Sequence, residues 1–363
     1  MGGNAYVVFM RAHELLTPTP AGLYCPPGGF YIDPVRPVDR AVITHAHSDH
    51  ARAGHRAVMA TRETLDLMRL RYGEGFAGST QAVGYGKRVT MDGVSITLHP
   101  AGHILGSAQV CVECNGLRAV VTGDYKDTAD PTCARFEPIV CDVFITEATF
   151  GLPVFRHPDP LAETHKLLAS VALFPERAHL VGVYALGKAQ RMIALLRQAG
   201  YDRPIYLHGA LENLTQYYRT RGFDFGVLRP AREAAKAELS CTIALCPPSA
   251  LKDPWSRRFP DPVTAFASGW MRVRARARQR GVELPLVISD HADWEGLRRA
   301  ILATGAGEIW VTHGEEDALV HWCGMRGLNA RPLRLVGYGD EEDGMETASD
   351  SGVAAAERSG AAP

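Results

Sequence analysis

Residues 44–50 read Thr-His-Ala-His-Ser-Asp-His, and no other stretch of the chain narrows its fold as much. Four side chains able to ligate a metal, His45, His47, Asp49 and His50, fall within six residues. They follow a short apolar run from Arg40 to Thr44 that reads as a buried strand. A helix would present ligands at i and i+4. This spacing needs a tight loop at a strand end instead, aiming imidazoles and a carboxylate at two neighbouring points. Imidazole nitrogen and carboxylate oxygen without thiolate suit zinc or manganese, and open positions suit catalysis better than structure. A polar surface loop is the plainer reading, but it does not explain why so many ligand types coincide in one short motif.

Five further residues close apolar strand-like runs: His103 in PAGHILGSAQ, Asp124 in VVTGDYK, Glu147 in FITEATFG, His291 in ISDHADW and His313 in VTHGE. Singly, each would pass for a satisfied core or turn residue. Together, at strand ends where an α/β scaffold builds its sites, they read as one constellation. Strand and helix signals alternate along the chain, which defines an α/β class. Thr61 can cap a helix that Gly73 ends, with Leu65, Met68 and Leu70 as apolar positions. AQVCVECNGLRAVVTGD reads as a hairpin turning at Asn115-Gly116. Helices are expected over 160–173, 187–199, 269–282, 294–304 and 316–326, with strands between them.

The net charge of -1 argues against a wholly basic nucleic-acid coat. That balance hides an asymmetry, because seven acids and one base crowd into residues 340–363 and leave 38 Lys/Arg against 33 Asp/Glu before them. The acidic, Gly/Ala/Ser-rich stretch 339–363 reads as disordered. No apolar run approaches the roughly 18 residues a membrane span needs, and MGGNAYVVFMR lacks the form of a signal peptide, so a cytoplasmic location is expected. Cys111 and Cys114 form the lone CxxC, inside a strand that points them to opposite faces. All eight cysteines read as small apolar packing.

HxHxDH followed by Gly-His and Gly-Asp resembles the metallo-β-lactamase superfamily, and ITEATFG, SDHADW and VTHGE resemble motifs A, B and C of its β-CASP branch. GVYALGKAQR and ASGWM are similar to elements of the β-CASP insert. Within that branch the chain is most similar to bacterial ligase-associated DNA exonucleases. The resemblance implies a four-layer αββα metallo-β-lactamase fold with an inserted β-CASP α/β cap domain. Its first lobe would run over 1–155, the insert over 156–283 and the second lobe over 284–338. It implies two divalent ions, zinc foremost and manganese as the alternative. One would be held by His45, His47 and His103, the other by Asp49, His50 and His313, with Asp124 bridging both. Such a centre suits hydrolysis of a phosphodiester. His291 would then be the general acid for the leaving 3′-oxygen, and Glu147 the carboxylate that orients it. Asp33, twelve residues before His45, reads equally as a carboxylate behind a ligand and as a turn former. A His at motif C is a feature of RNA-processing members, whereas the crosslink-repair nucleases carry an apolar residue there.

Residues 251–282 are the most basic part of the chain, and a helix there would put Arg272, Arg276 and Arg280 on one face, fit to follow a phosphate backbone or simply to meet solvent. Gly187-Lys188, at the start of an expected helix, could meet a phosphate as well, and ordinary strand-to-helix turn chemistry explains the same residues. Tyr217 and Tyr218 read as half core and half surface rather than as a stacking platform. The resemblance implies a metal-dependent DNA exonuclease acting on single strands in repair, with a functional link to an ATP-dependent DNA ligase and a helicase. The rivals are a β-CASP ribonuclease of RNA processing and a small-molecule metallo-hydrolase, which would need neither the insert nor motifs A and B. A scaffold that only binds nucleic acid would not need every ligand position.

Overall fold

Parallel strands joined by helical crossovers must be covered on both faces, and the apolar runs of this chain are arranged to allow it. The computed structural model describes residues 10–335, so the acidic stretch expected to be disordered lies outside the described residues. The described residues form three sheets. The first runs in chain order through Thr17–Thr19, Gly22–Cys25, Phe30–Ile32, Arg40–Val42, His55–Ala60 and Ala77–Ala82. The second has the spatial order Asn329–Pro332, Glu308–Gly314, Val143–Ala148, Leu117–Val121, Ala108–Cys114, Val94–Pro100, Arg88–Met91. The third is wholly parallel and runs Leu228–Pro230, Ile205–Leu207, Ile243–Cys246, His179–Gly182, Val263–Ala267, Leu284–Leu286.

The hairpin Ala108–Cys114/Leu117–Val121 pairs Cys114 with Leu117, and Asn115 and Gly116 both take positive φ, as a tight two-residue turn requires. Along its first strand Cys111 packs with Val120 and Phe144, while Cys114 packs on the opposite side with Val112 and Val110, and all eight cysteines are free. Leu23, Phe30, Ile32 and Val42 of the first sheet share one core with Ile96, Leu98, Val110, Ile145 and Trp310 of the second. Helix Arg62–Tyr72, capped by Thr61 through Thr64 N–H, buries Leu65 and Met68 against Ala41, Ile43 and Val58. Leu70 does not join them. It is 50% exposed, and Leu67 is buried instead, because this helix is covered on two sides and Leu67 faces the core of the third sheet. Helices Trp294–Thr304 and Glu316–Met325 cover the other face of the second sheet through Leu297, Ile301, Leu319 and Trp322.

The chain leaves the second sheet after Ala148, builds the third sheet, and returns as Glu308–Gly314, hydrogen-bonded in parallel to Val143–Ala148. The third sheet is packed by helices Pro160–Leu173, Lys188–Gln198 and Gly209–Thr220, and its core reaches Ala46, Leu67 and Ile104 near the histidine-rich loop. One expected element is broken. Residues 269–282 do not form one helix but a 3-10 turn, Gly269–Arg272, and a short helix, Arg274–Arg280, separated by Val273 in an extended conformation. Ser268 caps the turn at Trp270 N–H while Trp270 and Met271 are buried, so tertiary packing overrides the helical preference of the arginines. No helix among the described residues is long and apolar enough to cross a membrane.

Candidate metal centre

Strand Arg40–Val42 delivers the chain to Asp33, which organises the loop that follows. Asp33 Oδ1 accepts Thr44 N–H at 2.7 Å and Oδ2 accepts the Thr44 hydroxyl at 2.6 Å. Its φ of +45° is a left-handed conformation that Asp tolerates better than most residues. His50 Nδ1 lies 2.8 Å from Asp33 Oδ2. A carboxylate only accepts, so Nδ1 carries the proton, while Nε2 stands 3.4 Å from Asp124 Oδ1 and 3.6 Å from Asp49 Oδ2. Asp33 thus acts behind a candidate ligand rather than as a turn former alone.

His45, His47, His103 and Asp124 are all buried, and one donor atom from each lies within 4.8 Å of the others. His45 Nε2 is 3.4 Å and His103 Nε2 3.8 Å from Asp124 Oδ2, and His103 Nε2 is 3.0 Å from His47 Nδ1. The outward nitrogens are held by oxygens: His45 Nδ1 by the Thr44 hydroxyl at 3.0 Å, His47 Nε2 by Leu186 O at 3.2 Å, His103 Nδ1 by Asp290 O at 3.0 Å. Asp124 also joins Asp49 and His50 in a second group. It is carried by Gly123, whose φ is +55° and where a Cβ would stand 2.5 Å from Thr44 Oγ1, so only glycine lets the two loops approach. His313 arrives by a bulge. Glu147 pairs with Thr312 and Ala148 with Gly314, which leaves His313 as the extra residue at φ +57°, stacked on His50 at 5.0 Å.

The charge states suit cation binding. Burial and the His50 charge lower His45 to about 4, burial lowers His313 to about 3, and burial holds His103 well below its ordinary value, so these imidazoles are neutral with lone pairs to give. Burial works against the Asp124 carboxylate, but the charge of His50 and hydrogen bonds from His45 and His50 keep it well below the ordinary range. Burial likewise disfavours the His50 imidazolium, yet Asp124 and Asp49 hold it well above its ordinary value. A divalent ion taken up there would replace that proton. Ligand atoms bound to one zinc at about 2.0–2.1 Å stand about 3.3 Å apart, close to the separations in the first group. The residues present therefore fit metal ions.

Beside this cluster, His291 lies 4.6 Å from His103, ring to ring, and its Nδ1 meets Glu147 Oε2 at 3.0 Å and Oε1 at 3.1 Å. Burial opposes charge on both, but the Glu147 carboxylate holds His291 well above its ordinary value. The nine residues expected at a metal or proton-transfer role thus come together. The expected phosphate contacts do not. Lys188 is fully buried, with Nζ 2.6 Å from Asp290 Oδ1 and 3.2 Å from Ile288 O, so its charge is consumed inside the protein. Arg272 is exposed on the 3-10 turn, Arg276 lies over the Trp270 ring at 3.8 Å, and Arg280 over Phe266 at 5.2 Å, so the three form no single row. Tyr218 is buried with its hydroxyl accepting Leu105 N–H, and Tyr217 meets Asp66 at 3.0 Å.

Sequence reasoning missed a buried network that locks the loop before His291. Arg191 reaches Asp130 and the carbonyl of Ser289, and His103 O at 3.5 Å, while Asp290 pairs with Lys188. Burial raises Asp290, but Lys188 and neighbouring cations hold it well below the usual carboxylate range. The signal was present in GKAQR, where Lys188 and Arg191 share a helix face, and in the Asp that precedes His291.

Fold and site together define an α/β protein with a buried His/Asp centre able to hold metal ions. No family profile matches the chain. It is 30% identical over 359 residues to a "Probable DNA ligase" of Opitutus terrae, a match covering 92% of this chain and 34% of that protein. It is 26% identical over 210 residues to an "RNase J-like protein" of Methanocaldococcus jannaschii, 50% of each. It is 34% identical over 137 residues to "Endoribonuclease YSH1" of Gibberella zeae, 35% of this chain and 16% of that one. The chain spans about a third of the first relative, half of the second and less of the third. A crystal structure of a protein of unknown function from Enterococcus faecalis V583 shares the fold, with a TM-score of 0.54 at 15% identity over 82% of this chain and 80% of that one. This chain is a homologue of these relatives.

Proposed function

We propose that this chain is a metal-dependent nuclease that hydrolyses DNA phosphodiesters from an end. The observation that carries the reading is Asp124, common to two ligand groups, set next to the His291–Glu147 pair. His45, His47, His103 and Asp124 would hold one ion, and Asp49, His50, His313 and Asp124 a second. The ions would supply Lewis acidity and an activated water at neutral pH, with zinc favoured by the nitrogen-rich donor set and manganese the alternative. Asp33 keeps His50 turned inward, and the Asp290 carbonyl does the same for His103. As water adds to phosphorus, the bond to the 3′-oxygen breaks and that oxygen takes a proton from His291, which Glu147 has kept charged.

The architecture reads as a four-layer αββα fold, supported by helices outside each of two sheets that share a core. A β-CASP cap at about 156–283 is supported by the separate parallel sheet between Val143–Ala148 and its partner Glu308–Gly314. DNA as substrate, and a link to a DNA ligase, are supported by the relative that matches 92% of this chain. The second reading is an RNA-processing ribonuclease, favoured by the RNase J-like and endoribonuclease relatives. The helicase link rests on family resemblance alone. Digestion of matched 5′- and 3′-labelled DNA and RNA strands with zinc or manganese tests the proposal. Stepwise shortening of DNA is expected, and efficient cutting of RNA with inert DNA would replace it by the second reading.

A further inference from the structure

His157 lies between strand Val143–Ala148 and helix Pro160–Leu173, outside the candidate metal centre. Its backbone N–H donates to Asp293 Oδ2 at 2.9 Å, and its ring stands edge-on to Phe150 at 4.5 Å. Phe150 is in turn 6.1 Å from the His291 ring and 4.8 Å from Trp270. Both ring nitrogens of His157 and the indole Nε1 of Trp270 are buried without a hydrogen-bond partner. Trp270 is only 5% exposed. Gly269, which opens the 3-10 turn just before Trp270, lets His157 approach, since a Cβ there would stand 3.0 Å from His157 Nε2, and Phe150 touches both rings. A buried polar group left unpaired costs about 1–3 kcal/mol, so three such atoms in one aromatic cluster call for something that pairs with them.

The surrounding charge says what kind of group that is. Burial first, then Lys126, Lys188, His291 and Arg272, push the His157 imidazole down to about 2, and no carboxylate is among these influences. Lys188 is matched by Asp290 and His291 by Glu147, but Lys126 and Arg272 make no ion pair among the described residues. A neutral imidazole and an indole N–H thus lie unpaired with an ammonium and a guanidinium near the imidazole, while the carboxylates of this region are engaged elsewhere: Asp293 accepts the His157 backbone N–H, Asp290 holds Lys188 and Asp130 holds Arg191. That set of donors fits a tetrahedral oxyanion.

We propose that His157 and Trp270, with Lys126 and Arg272, form a phosphate subsite beside the His291–Glu147 pair that holds a backbone phosphate of the substrate strand next to the one being cut. This rests on the nuclease reading, and it adds a register to it: the strand would be gripped at two phosphates, one at the ligand cluster and one at this subsite.

The test uses full-length ¹⁵N-labelled protein in chelator, so that nothing is cleaved, with inorganic phosphate and a tetrathymidylate strand as probes. The indole N–H signal of Trp270 is identified by its loss in Trp270→Phe. Both probes are expected to move that signal saturably, the strand at lower concentration. Arg272→Ala, at an exposed position, and His157→Gln should each raise the strand's apparent Kd by about tenfold. A Trp270 signal that stays put while other signals respond to the strand would overturn the proposal, as would unchanged affinity in both variants. A response to inorganic phosphate alone would overturn the assignment to a strand. A protein that cleaves neither DNA nor RNA, yet shows the Trp270 response, would sink the nuclease reading and leave the subsite standing.

Discussion

His291 Nδ1 lies 3.0 Å from Glu147 Oε2, although 144 positions separate the two residues in the chain. The other oxygen of the same carboxylate accepts the backbone N–H of Tyr125 at 2.7 Å, one residue beyond Asp124. The carboxylate that holds His291 therefore also holds the strand end that carries Asp124. Any movement of one is felt by the other.

Removing the proton donor should separate chemistry from metal binding. His291→Ala is expected to lower the single-turnover cleavage rate by about 10²–10⁴-fold. Bound metal, measured by elemental analysis, should stay at the wild-type level. Glu147→Gln should follow His291→Ala in rate. Loss of metal in His291→Ala would show instead that His291 is a ligand.

Metal occupancy should depend on Asp124 and, less strongly, on Asp33. Asp124→Ala is expected to lose both bound metal and cleavage. Asp33→Asn removes the carboxylate behind His50 and should weaken metal affinity by about 10–100-fold without abolishing it. Treating the wild type with a chelator should lower its Tm, and adding zinc back should restore it. Calorimetry with and without zinc checks this, and a chelator-insensitive Tm in a metal-containing preparation would contradict it.

Lys188 and Arg272 should behave in opposite ways. Lys188→Met leaves Asp290 as an unpaired buried charge and is expected to cost about 3–5 kcal/mol of stability in denaturant titration. Arg272→Ala, at an exposed position, should stay within about 0.5 kcal/mol of wild type. Stability unchanged in Lys188→Met would revive that lysine as a contact to the substrate.

The residues that gather at the candidate centre were legible because each closes an apolar strand and is a residue type with few uses there. His45, His47, Asp49 and His50 need only local chain to be recognised, and Asn115-Gly116 needs only its own φ preferences. Lys188 was misread for the opposite reason. Its partner Asp290 is 102 residues away, and nothing local tells a buried ammonium from an exposed one. The expected helix over 269–282 failed similarly, because the burial of Trp270 against Phe150 and Phe155 decides the backbone there. His157 carries no motif at all, and only its unpaired nitrogens give it away.

His157 also sets an acid limit on stability. With its folded value pushed down to about 2 by burial, Lys126, Lys188, His291 and Arg272, it stays neutral in the fold, while the unfolded chain takes up a proton below about pH 6.5. The unfolded state then binds more protons, so stability should fall as pH drops from about 6.5 toward the folded value, by about 1.4 kcal/mol per unit at most. His157→Phe should flatten that part of the profile. Denaturant titrations between pH 7 and pH 4 check it, and parallel profiles for variant and wild type would refute it.

The strand Glu308–Gly314 lies between Val143–Ala148 and Asn329–Pro332 and brings His313 to residues as early as His45, 268 positions before it. Consider the same topology during synthesis. A nascent chain that has emerged only as far as residue 307 already holds every residue of the third sheet, but Val143–Ala148 still has an open edge and His50 has no imidazole stacked on it. The cluster cannot close until almost all of the described chain has left the ribosome. Completion of the site is thereby tied to the emergence of Glu308–Gly314, and a product terminated before that strand would be left with an incomplete centre.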